Sequence, residues 1–222
     1  MATTKSPFYN LASPLPLPEL VGRIAILGGR AHDKTRCLVG LALRQIHQQG
    51  TVLCLDARHY KQTEVYFRLL LRQPKNYLSL PDSGEVPSTA AQMVLSTVSR
   101  SLAQGPTTSP EEKSIGLMKL SLPPLLLFDS LREMPDWEQT VIFLLNAGAT
   151  VVEILPDSTA LAFGRYDTVI LLREETEAAE QLSRAVGRKV STAELRQLKA
   201  GEGRLIHLTQ VYRVILPDLA KA

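Results

Sequence analysis

The feature that most constrains this sequence is the alternation of short, continuously apolar runs with segments of helical periodicity. Such runs include 23-RIAILG-28, 51-TVLCLD-56 and 124-PLLLFD-129. Strands without a polar face are buried on both sides, so the segments between them must supply helices that cover the sheet. The pattern therefore predicts an α/β protein with a mostly parallel β-sheet flanked by helices.

The same alternation continues along the rest of the chain. We expect helices over 34–48, 61–72, 88–103, 135–146 and 174–186, and further strands over 76–80, 149–155 and 167–172. Residues 104–116 are expected to form a flexible loop. Two closing runs, 203–208 and 211–216, flank Thr209-Gln210 and predict a C-terminal β-hairpin, although this dipeptide is not a favoured turn.

The beginning of the chain has a different character. The tract 12-ASPLPLPEL-20 alternates Pro with Leu, which excludes a helix and favours polyproline-type backbone. We predict an extended, Pro-rich N-terminal arm over residues 1–20 and a single domain over residues 21–222. The arm is interpreted as a strap on the domain surface rather than as a ligand for a Pro-binding module.

Composition narrows the class of protein. Apolar residues make up 45% of the chain and charged residues 21%, which is enough for a sizeable core. The net charge of +3 permits contact with nucleic acid without requiring it. Cys37 and Cys54 lie in apolar segments and are interpreted as small buried hydrophobes. The start of the chain lacks a signal peptide, and the longest apolar run is too short for a membrane span, so we expect a cytoplasmic protein.

The stretch 26-ILGGRAHDKTR-36 nearly matches the phosphate-loop pattern G-x-x-x-x-G-K-[ST]. It joins a predicted strand to a predicted helix, so its backbone N–H groups could face a phosphate. A second apolar strand ends in a carboxylate, as expected for a residue that holds Mg²⁺ directly or through water. The expected ATP contacts are Gly28, Gly29, Lys34, Thr35 and Arg36, and the expected Mg²⁺ ligands are Thr35 and Asp129.

Asp33 is the departure from this pattern, because it occupies the place of the second glycine. A side chain there crowds the loop, and a carboxylate repels phosphate. Two structural uses for Asp33 remain open: it could cap the following helix, or it could pair with Lys34 or Arg36. Alternatively, Arg30, Arg36 and Arg58 could form a basic rim that offsets the carboxylate.

The segment 50-GTVLCLDARHY-60 resembles the second strand of RecA-type recombinases, and 128-FDS-130 resembles the end of their magnesium strand. The resemblance implies a RecA-like P-loop ATPase fold in which Lys34 contacts phosphate and Thr35 and Asp129 hold magnesium. It also implies that the catalytic Glu of the family falls on Arg58. Arginine stays protonated in proteins and cannot act as that base.

The C-terminal half is similar to the HerA/FtsK and type IV secretion coupling ATPases. The runs 165-RYDTVILLREETEAAEQLSRAVG-187 and 201-GEGRLIHLTQVYRVILP-217 resemble their edge strand, helix and closing hairpin. In those families a catalytic Glu follows the magnesium Asp, whereas Ser130 stands here. Their polar sensor, commonly Gln, is replaced by Pro156-Asp157. Alternative bases near strand ends are Glu64, Glu133 and Asp157, so no catalytic residue is assigned.

These deviations favour a degenerate P-loop protein with weak or lost ATP hydrolysis, acting as a nucleotide-binding, regulatory or assembly module. The alternative is an active ATPase linked to DNA recombination, transfer or translocation, completed by an arginine such as Arg165 or Arg173 from a neighbouring subunit. A third hypothesis is a regulatory protein that binds no nucleotide. Partners could be another protein, further copies of the chain or nucleic acid. Trp137 is interpreted as a core residue or as an interaction anchor.

Overall fold

One nine-stranded sheet organises the part of the chain that the structure describes. The structure is a computed structural model, and it describes residues 8–12, 20–48, 52–56, 77–79, 125–129, 137–163, 165–175 and 177–218. The strands are β1 (Phe8–Asn10), β2 (Arg23–Leu27), β3 (Val52–Asp56), β4 (Tyr77–Ser79), β5 (Leu125–Asp129), β6 (Thr150–Ile154), β7 (Thr168–Leu172), β8 (Glu202–His207) and β9 (Gln210–Ile215). The helices are α1 (Ala31–His47), α2 (Trp137–Asn146), α3 (Ala178–Ala185) and α4 (Thr192–Gln197), with a 3₁₀-helix over Thr159–Phe163.

The strand order is β1-β9-β8-β7-β2-β6-β5-β3-β4. Every neighbouring pair from β7 to β4 is parallel. By contrast, β8 runs antiparallel to both β7 and β9, and β1 is parallel to β9. This arrangement confirms the predicted α/β fold with its mostly parallel sheet and C-terminal hairpin. The carboxyl ends of the six parallel strands lie along one side of the sheet, here called the carboxyl edge, and their beginnings lie along the amino edge.

Alternate residues of β2 contribute to cores on opposite faces of the sheet. Ile24 and Ile26 belong to a buried cluster that includes Leu38 and Leu41 of α1. Ala25 and Leu27 belong to a second cluster, which includes Leu182 of α3 and Leu195 of α4. Both faces of β2 are therefore covered by helices, which explains why its sequence has no polar alternation. None of the helices in the described ranges has the length and apolar content of a membrane-spanning segment.

Arg23 begins β2 and is the centre of a buried ionic cluster at the amino edge. It is 3% exposed, and its Nε donates to Glu153 Oε2 at 2.5 Å. Its two terminal nitrogens donate to the carboxylate of Glu138 at 2.7 and 2.9 Å. The guanidinium also lies 4.7 Å from the centre of the Tyr166 ring. Burial lowers the pKa of Arg23, but the hydrogen bonds that Arg23 donates to Glu138 and Glu153 outweigh this effect, so the pKa lies above its ordinary range.

Trp137 completes this cluster. Its side chain is buried, and its indole Nε1 donates to Glu153 Oε1 at 2.8 Å. Both oxygens of Glu153 are thus engaged in an otherwise apolar layer, as a buried carboxylate requires. Of the two interpretations of Trp137, the structure supports the core residue.

The structure corrects several element boundaries. The helix expected over 174–186 is confined to Ala178–Ala185, and helix α4 was not predicted. The hairpin pairs His207 with Gln210, so its two-residue turn is Leu208-Thr209 rather than Thr209-Gln210. Residues 8–10 of the predicted arm form β1 beside β9. The predicted helices 61–72 and 88–103, the loop 104–116 and residues 13–19 of the arm lie outside the described residues.

Candidate functional site

A three-residue loop, Gly28-Gly29-Arg30, connects β2 to α1 at the carboxyl edge. Gly28 and Gly29 have φ values of 72° and 71°, which residues with a side chain rarely adopt. They also lie against the end of β7: a Cβ on Gly28 would be 2.9 Å from Leu172 O, and one on Gly29 would be 2.8 Å from Leu172 Cβ. The Gly29 N–H donates to Arg173 O at 2.9 Å. Both glycines are therefore required by conformation and by proximity to the neighbouring strand.

Helix α1 begins at Ala31, three residues before the start at Lys34 that the sequence predicted. The N–H groups of Asp33 and Lys34 donate to Arg30 O at 3.0 and 3.1 Å, so they belong to the first helical turn. A phosphate loop would instead keep such amides pointing into a concavity. The segment that should be an open loop is thus partly helical.

The exchange of Gly for Asp at position 33 gives a physical reason for this early start. Glycine is less favourable than alanine in a helix by about 1 kcal/mol and would weaken the first turn. An acidic residue in the first turn is instead stabilised by the positive end of the helix dipole. Asp33 is in that turn, and its Oδ1 lies 3.6 Å from Arg36 Nη1. Of the two uses considered for Asp33, the structure supports the pair with Arg36, because the N-cap residue is Arg30.

Arg36 links α1 to the end of the C-terminal strand. Its Nε donates to Pro217 O at 2.7 Å, and its Nη2 donates to Leu216 O at 3.2 Å. The guanidinium also packs against Gly201, where a Cβ would be 2.7 Å from Nη1. In this conformation the side chain therefore serves the packing of the chain, and its contact with a nucleotide stays a prediction.

Lys34 and Thr35 follow Asp33 on the first two turns of α1. Lys34 is half-buried, whereas Thr35 is 6% exposed. The Thr35 hydroxyl donates to Ala31 O at 3.1 Å, a bond that uses its proton and not its lone pairs. One turn further, burial and then the nearby Asp33 carboxylate raise the pKa of the Cys37 thiol well above its ordinary range. The buried side of this helix therefore keeps its thiol neutral.

Asp129 ends β5 at the same level of the sheet as the end of β2. The register pairs Asp129 with Ile154 of β6, and Ile154 in turn with Ile26 of β2. Since neighbouring strands are about 4.8 Å apart, the backbone of Asp129 is about 10 Å from that of β2. Asp56 of β3 is paired directly with Asp129 on the other side. Backbone register therefore brings two acidic positions to the same edge as the glycine loop.

Mg²⁺ prefers oxygen ligands such as carboxylates, hydroxyls, waters and phosphate oxygens, and Thr and Asp are residue types that carry such oxygens. Thr35 lies in the first turns of α1, and the backbone position of Asp129 lies two strands away from β2. That Thr35 and Asp129 hold Mg²⁺ stays a prediction. Among the described residues, no three His, Cys, Asp or Glu side chains form a ready-made metal site.

The remaining candidates from the sequence are the alternative catalytic bases and the arginines considered for a neighbouring subunit. One carboxylate oxygen of Asp157, Oδ1, accepts from the backbone N–H groups of Thr159 and Ala160 and caps the 3₁₀-helix. Arg165 is exposed. Arg173 pairs with Glu175 beside the loop. Arg58, Glu64, Ser130 and Glu133 lie outside the described residues.

The contribution of β7 to the loop was missed by the sequence reading. Leu172 and Arg173 form the surface on which Gly28 and Gly29 rest, and Arg173 was considered only as a residue for another subunit. The available signal was the predicted strand 167–172, whose end falls at the carboxyl edge. The sequence did not show that this strand would be the direct neighbour of β2.

The fold is similar to that of several solved structures. The DNA-packaging ATPase B204 from Sulfolobus Turreted Icosahedral Virus is similar with a TM-score of 0.60 and 8% identity, over 89% of this chain and 98% of that chain. B204 of Sulfolobus turreted icosahedral virus 2, in complex with AMPPCP, gives 0.55 and 9%, over 89% and 98%. The cytoplasmic domain of the Thermomonospora curvata type VII secretion ATPase EccC gives 0.57 and 13%, over 87% of this chain and 25% of that chain.

No protein-family model matches the sequence, and no curated protein matches it. The similarity to B204 and EccC is therefore one of structure at very low sequence identity. It shows that the chain has the P-loop NTPase fold.

Proposed function

We propose that the chain is a degenerate RecA-like P-loop module that binds ATP weakly through the Gly28–Thr35 segment and hydrolyses it slowly or not at all. The observation that carries the proposal is the glycine loop itself. Gly28 and Gly29, both at positive φ, hold the N-terminus of α1 at the carboxyl edge of a parallel sheet. Ligands of open α/β sheets bind at this edge, and phosphates bind at helix N-termini.

Nucleotide binding is supported by structures of similar fold that contain nucleotides. Structures of B204 from Sulfolobus turreted icosahedral virus 2 hold AMPPCP, ATP-gammaS and AMP. For this chain, Lys34 would contact the phosphates, and Thr35 and Asp129 would hold Mg²⁺. Magnesium, when bound, would neutralise phosphate charge. The residues of the chain itself would orient the phosphates through the helix N-terminus and the Lys34 ammonium.

Weak binding follows from Asp33. A carboxylate about 5 Å from a phosphate charge costs roughly 3 kcal/mol at an effective dielectric constant of 20, and under about 1 kcal/mol in water. The larger value corresponds to a loss of about a hundredfold in affinity. In addition, the amides of Asp33 and Lys34 donate to Arg30 O, so a phosphate must displace these helical hydrogen bonds. Both effects would weaken ATP binding itself, whichever residue serves as the catalytic base.

The experiment is calorimetric titration of ATP with and without Mg²⁺ on the wild type and on Asp33→Gly. We expect Asp33→Gly to tighten binding at least tenfold, because it removes the charge and loosens the first turn. Asp33→Asn is the matched variant, since it removes only the charge and should recover part of the gain. Lys34→Ala in the Asp33→Gly background should abolish the gain if phosphate is the bound group.

The alternative, an active ATPase linked to DNA recombination, transfer or translocation, is supported by the retained Lys34, Thr35 and Asp129. It predicts wild-type turnover that Lys34→Ala removes, and such turnover would contradict weak or lost hydrolysis. Equal, negligible ATP affinity in the wild type and in Asp33→Gly would instead refute nucleotide binding. In that case the loop would be only a helix N-terminus.

A further inference from the structure

The guanidinium of Arg36 is fixed in place by two segments outside its own helix. Its Nε and Nη2 donate to Pro217 O and Leu216 O after β9, and it packs against Gly201 before β8. The Leu216 N–H in turn donates to Gly201 O at 2.8 Å, so the two segments are also joined to each other. The Arg36 side chain is 14% exposed. Its position is therefore determined by contacts that do not involve Asp33.

Asp33 lies beside the glycine loop and is oriented by Arg36. Its Cβ is 3.5 Å from the place that a Cβ on Gly29 would occupy. Its Oδ1 is 3.6 Å from Arg36 Nη1, and its side chain is 16% exposed, so little water screens the pair. Since the guanidinium is fixed by other segments, Arg36 is the anchored member of the pair. The orientation of the Asp33 carboxylate follows from it.

The helix offers this carboxylate a second place. Arg30 is the N-cap of α1 and has the extended backbone of that position, with φ of −82° and ψ of 161°, so Asp33 is the third helical residue. The first N–H groups of an α-helix have no partner within the helix. An acidic side chain at the third position can fold back and accept from the N–H of the N-cap residue. In the described structure the carboxylate is paired with Arg36 instead.

The choice between these two places matters for a phosphate. The N–H groups at the start of α1 are those that a phosphate would use under the proposed function, on which this inference rests. A carboxylate folded back onto them would be an internal anion in the place of the ligand. A carboxylate paired with Arg36 leaves them open.

We infer that Arg36 is a positioning residue of the proposed nucleotide site, which holds the Asp33 carboxylate away from the N-terminus of α1 so that the phosphates of a nucleotide can reach it. Arg36 acts through Asp33 and does not touch the phosphates. A basic rim would work differently, because there the charge of Arg36 would attract phosphate directly. The two roles give different results once the carboxylate is removed.

The experiment is a double-mutant cycle of Asp33→Ala and Arg36→Met, with the affinity for ATP and Mg²⁺ measured by calorimetric titration. We expect Arg36→Met to weaken binding about tenfold, which is the loss if the freed carboxylate occupies the N–H groups nine-tenths of the time. In the Asp33→Ala background the same change should alter the affinity by less than about twofold, because a residue that acts through Asp33 is coupled to it.

Arg184→Met is the matched control. Arg184 forms an ion pair with Glu180 on α3, and its side chain is 65% exposed. Loss of this surface pair should leave ATP affinity unchanged. Arg36 also ties α1 to Leu216 and Pro217, so thermal unfolding of every variant is needed. A loss of stability that Arg36→Met shares with the double variant cancels in the cycle.

A crystal structure of Arg36→Met supplies a readout that does not depend on a nucleotide. We expect a carboxylate oxygen of Asp33 within about 3 Å of the Arg30 N–H nitrogen. A carboxylate that stayed in place would overturn the inference. Equal losses of affinity in both backgrounds would also overturn it, while the proposed function would stand. Absence of ATP binding in all four proteins of the cycle would instead refute the proposed function and this inference together.

Discussion

The two ends of β2 treat charge in opposite ways. At the amino edge, Arg23 is buried, and its guanidinium donates to two carboxylates of the same chain, Glu138 and Glu153. At the carboxyl edge, Arg30 is exposed and Lys34 is half-buried beside the glycine loop. At the amino end of β2, called the closed end below, the charge is paired within the chain. At the carboxyl end, called the open end, cations and a helix N-terminus lie at the surface. The difference separates charge that stabilises the fold from charge that we propose for binding a ligand.

The largest effect should come from the closed end. Arg23→Ala leaves Glu153, which is 2% exposed, without its cation in a low-dielectric layer. We expect a loss of about 3–5 kcal/mol in the free energy of unfolding, measured by urea denaturation, because removal of one partner of a buried pair strands the other.

Glu138→Gln is the matched control for Arg23→Ala, because the Glu138 side chain is 45% exposed. Its loss should be about 1 kcal/mol or less, as is usual for exposed pairs. The double variant Arg23→Met with Glu153→Leu should recover most of the stability, less the hydrogen bond of Trp137. If Arg23→Ala proved no worse than Glu138→Gln, the amino end would not be the structural centre that we describe.

The second test concerns the open end. Gly28→Ala meets both a φ of 72° and a Cβ contact of 2.9 Å with Leu172 O. Gly148 has a φ of 85° with nothing within 4 Å of its added Cβ, so Gly148→Ala carries the conformational cost alone. We expect about 1 kcal/mol for Gly148→Ala and about 2–3 kcal/mol for Gly28→Ala, measured by thermal or urea unfolding. Equal losses would show that β7 does not confine the loop.

The sequence predicted the sheet and the glycine loop at the open end, but it did not predict the ionic pairing at the closed end. The apolar runs predicted the sheet correctly because burial on both faces leaves a signature within each strand, as at the consecutive residues Ile24 and Ala25. The pairing of Arg23 with Glu153 joins residues 130 positions apart, so no local pattern announces it. The phosphate-loop pattern correctly predicted a glycine turn between a strand and a helix at Gly28 but misplaced the start of α1, and the contact of Gly28 with ATP stays a prediction. A motif with Gly at position 33 implies an open loop, and the Asp33 that replaces it favours a helical turn.

Smaller elements failed for a different reason. Helix α4 spans only Thr192–Gln197, too few residues to show helical periodicity, and Ser191 starts it by accepting from the Glu194 N–H. The hairpin turn was misplaced by one residue because Leu208 adopts a positive φ, for which its sequence gives no signal. Local capping by Ser191 thus determines the start of α4, whereas local preference does not account for the turn at Leu208.

The smallest effect distinguishes two ways of burying an ionisable group. Pairing raises the pKa of Arg23 and favours its charged form, whereas burial, followed by the Asp33 carboxylate, raises the pKa of Cys37 and favours its neutral form. A thiol whose pKa is raised in the folded state contributes its full stability below the unfolded pKa of about 8.5, and loses it as pH rises above that value. Between pH 8 and pH 10 the loss should approach about 2 kcal/mol, given about 1.4 kcal/mol per pH unit. Cys37→Ala should remove this part of the pH dependence, measured by urea unfolding at both pH values, while any cavity cost stays constant with pH. If the free energy of unfolding of Cys37→Ala changed with pH as much as that of the wild type, the thiol would be in contact with water. The side of α1 that carries Cys37 would then be solvated like the open end of β2.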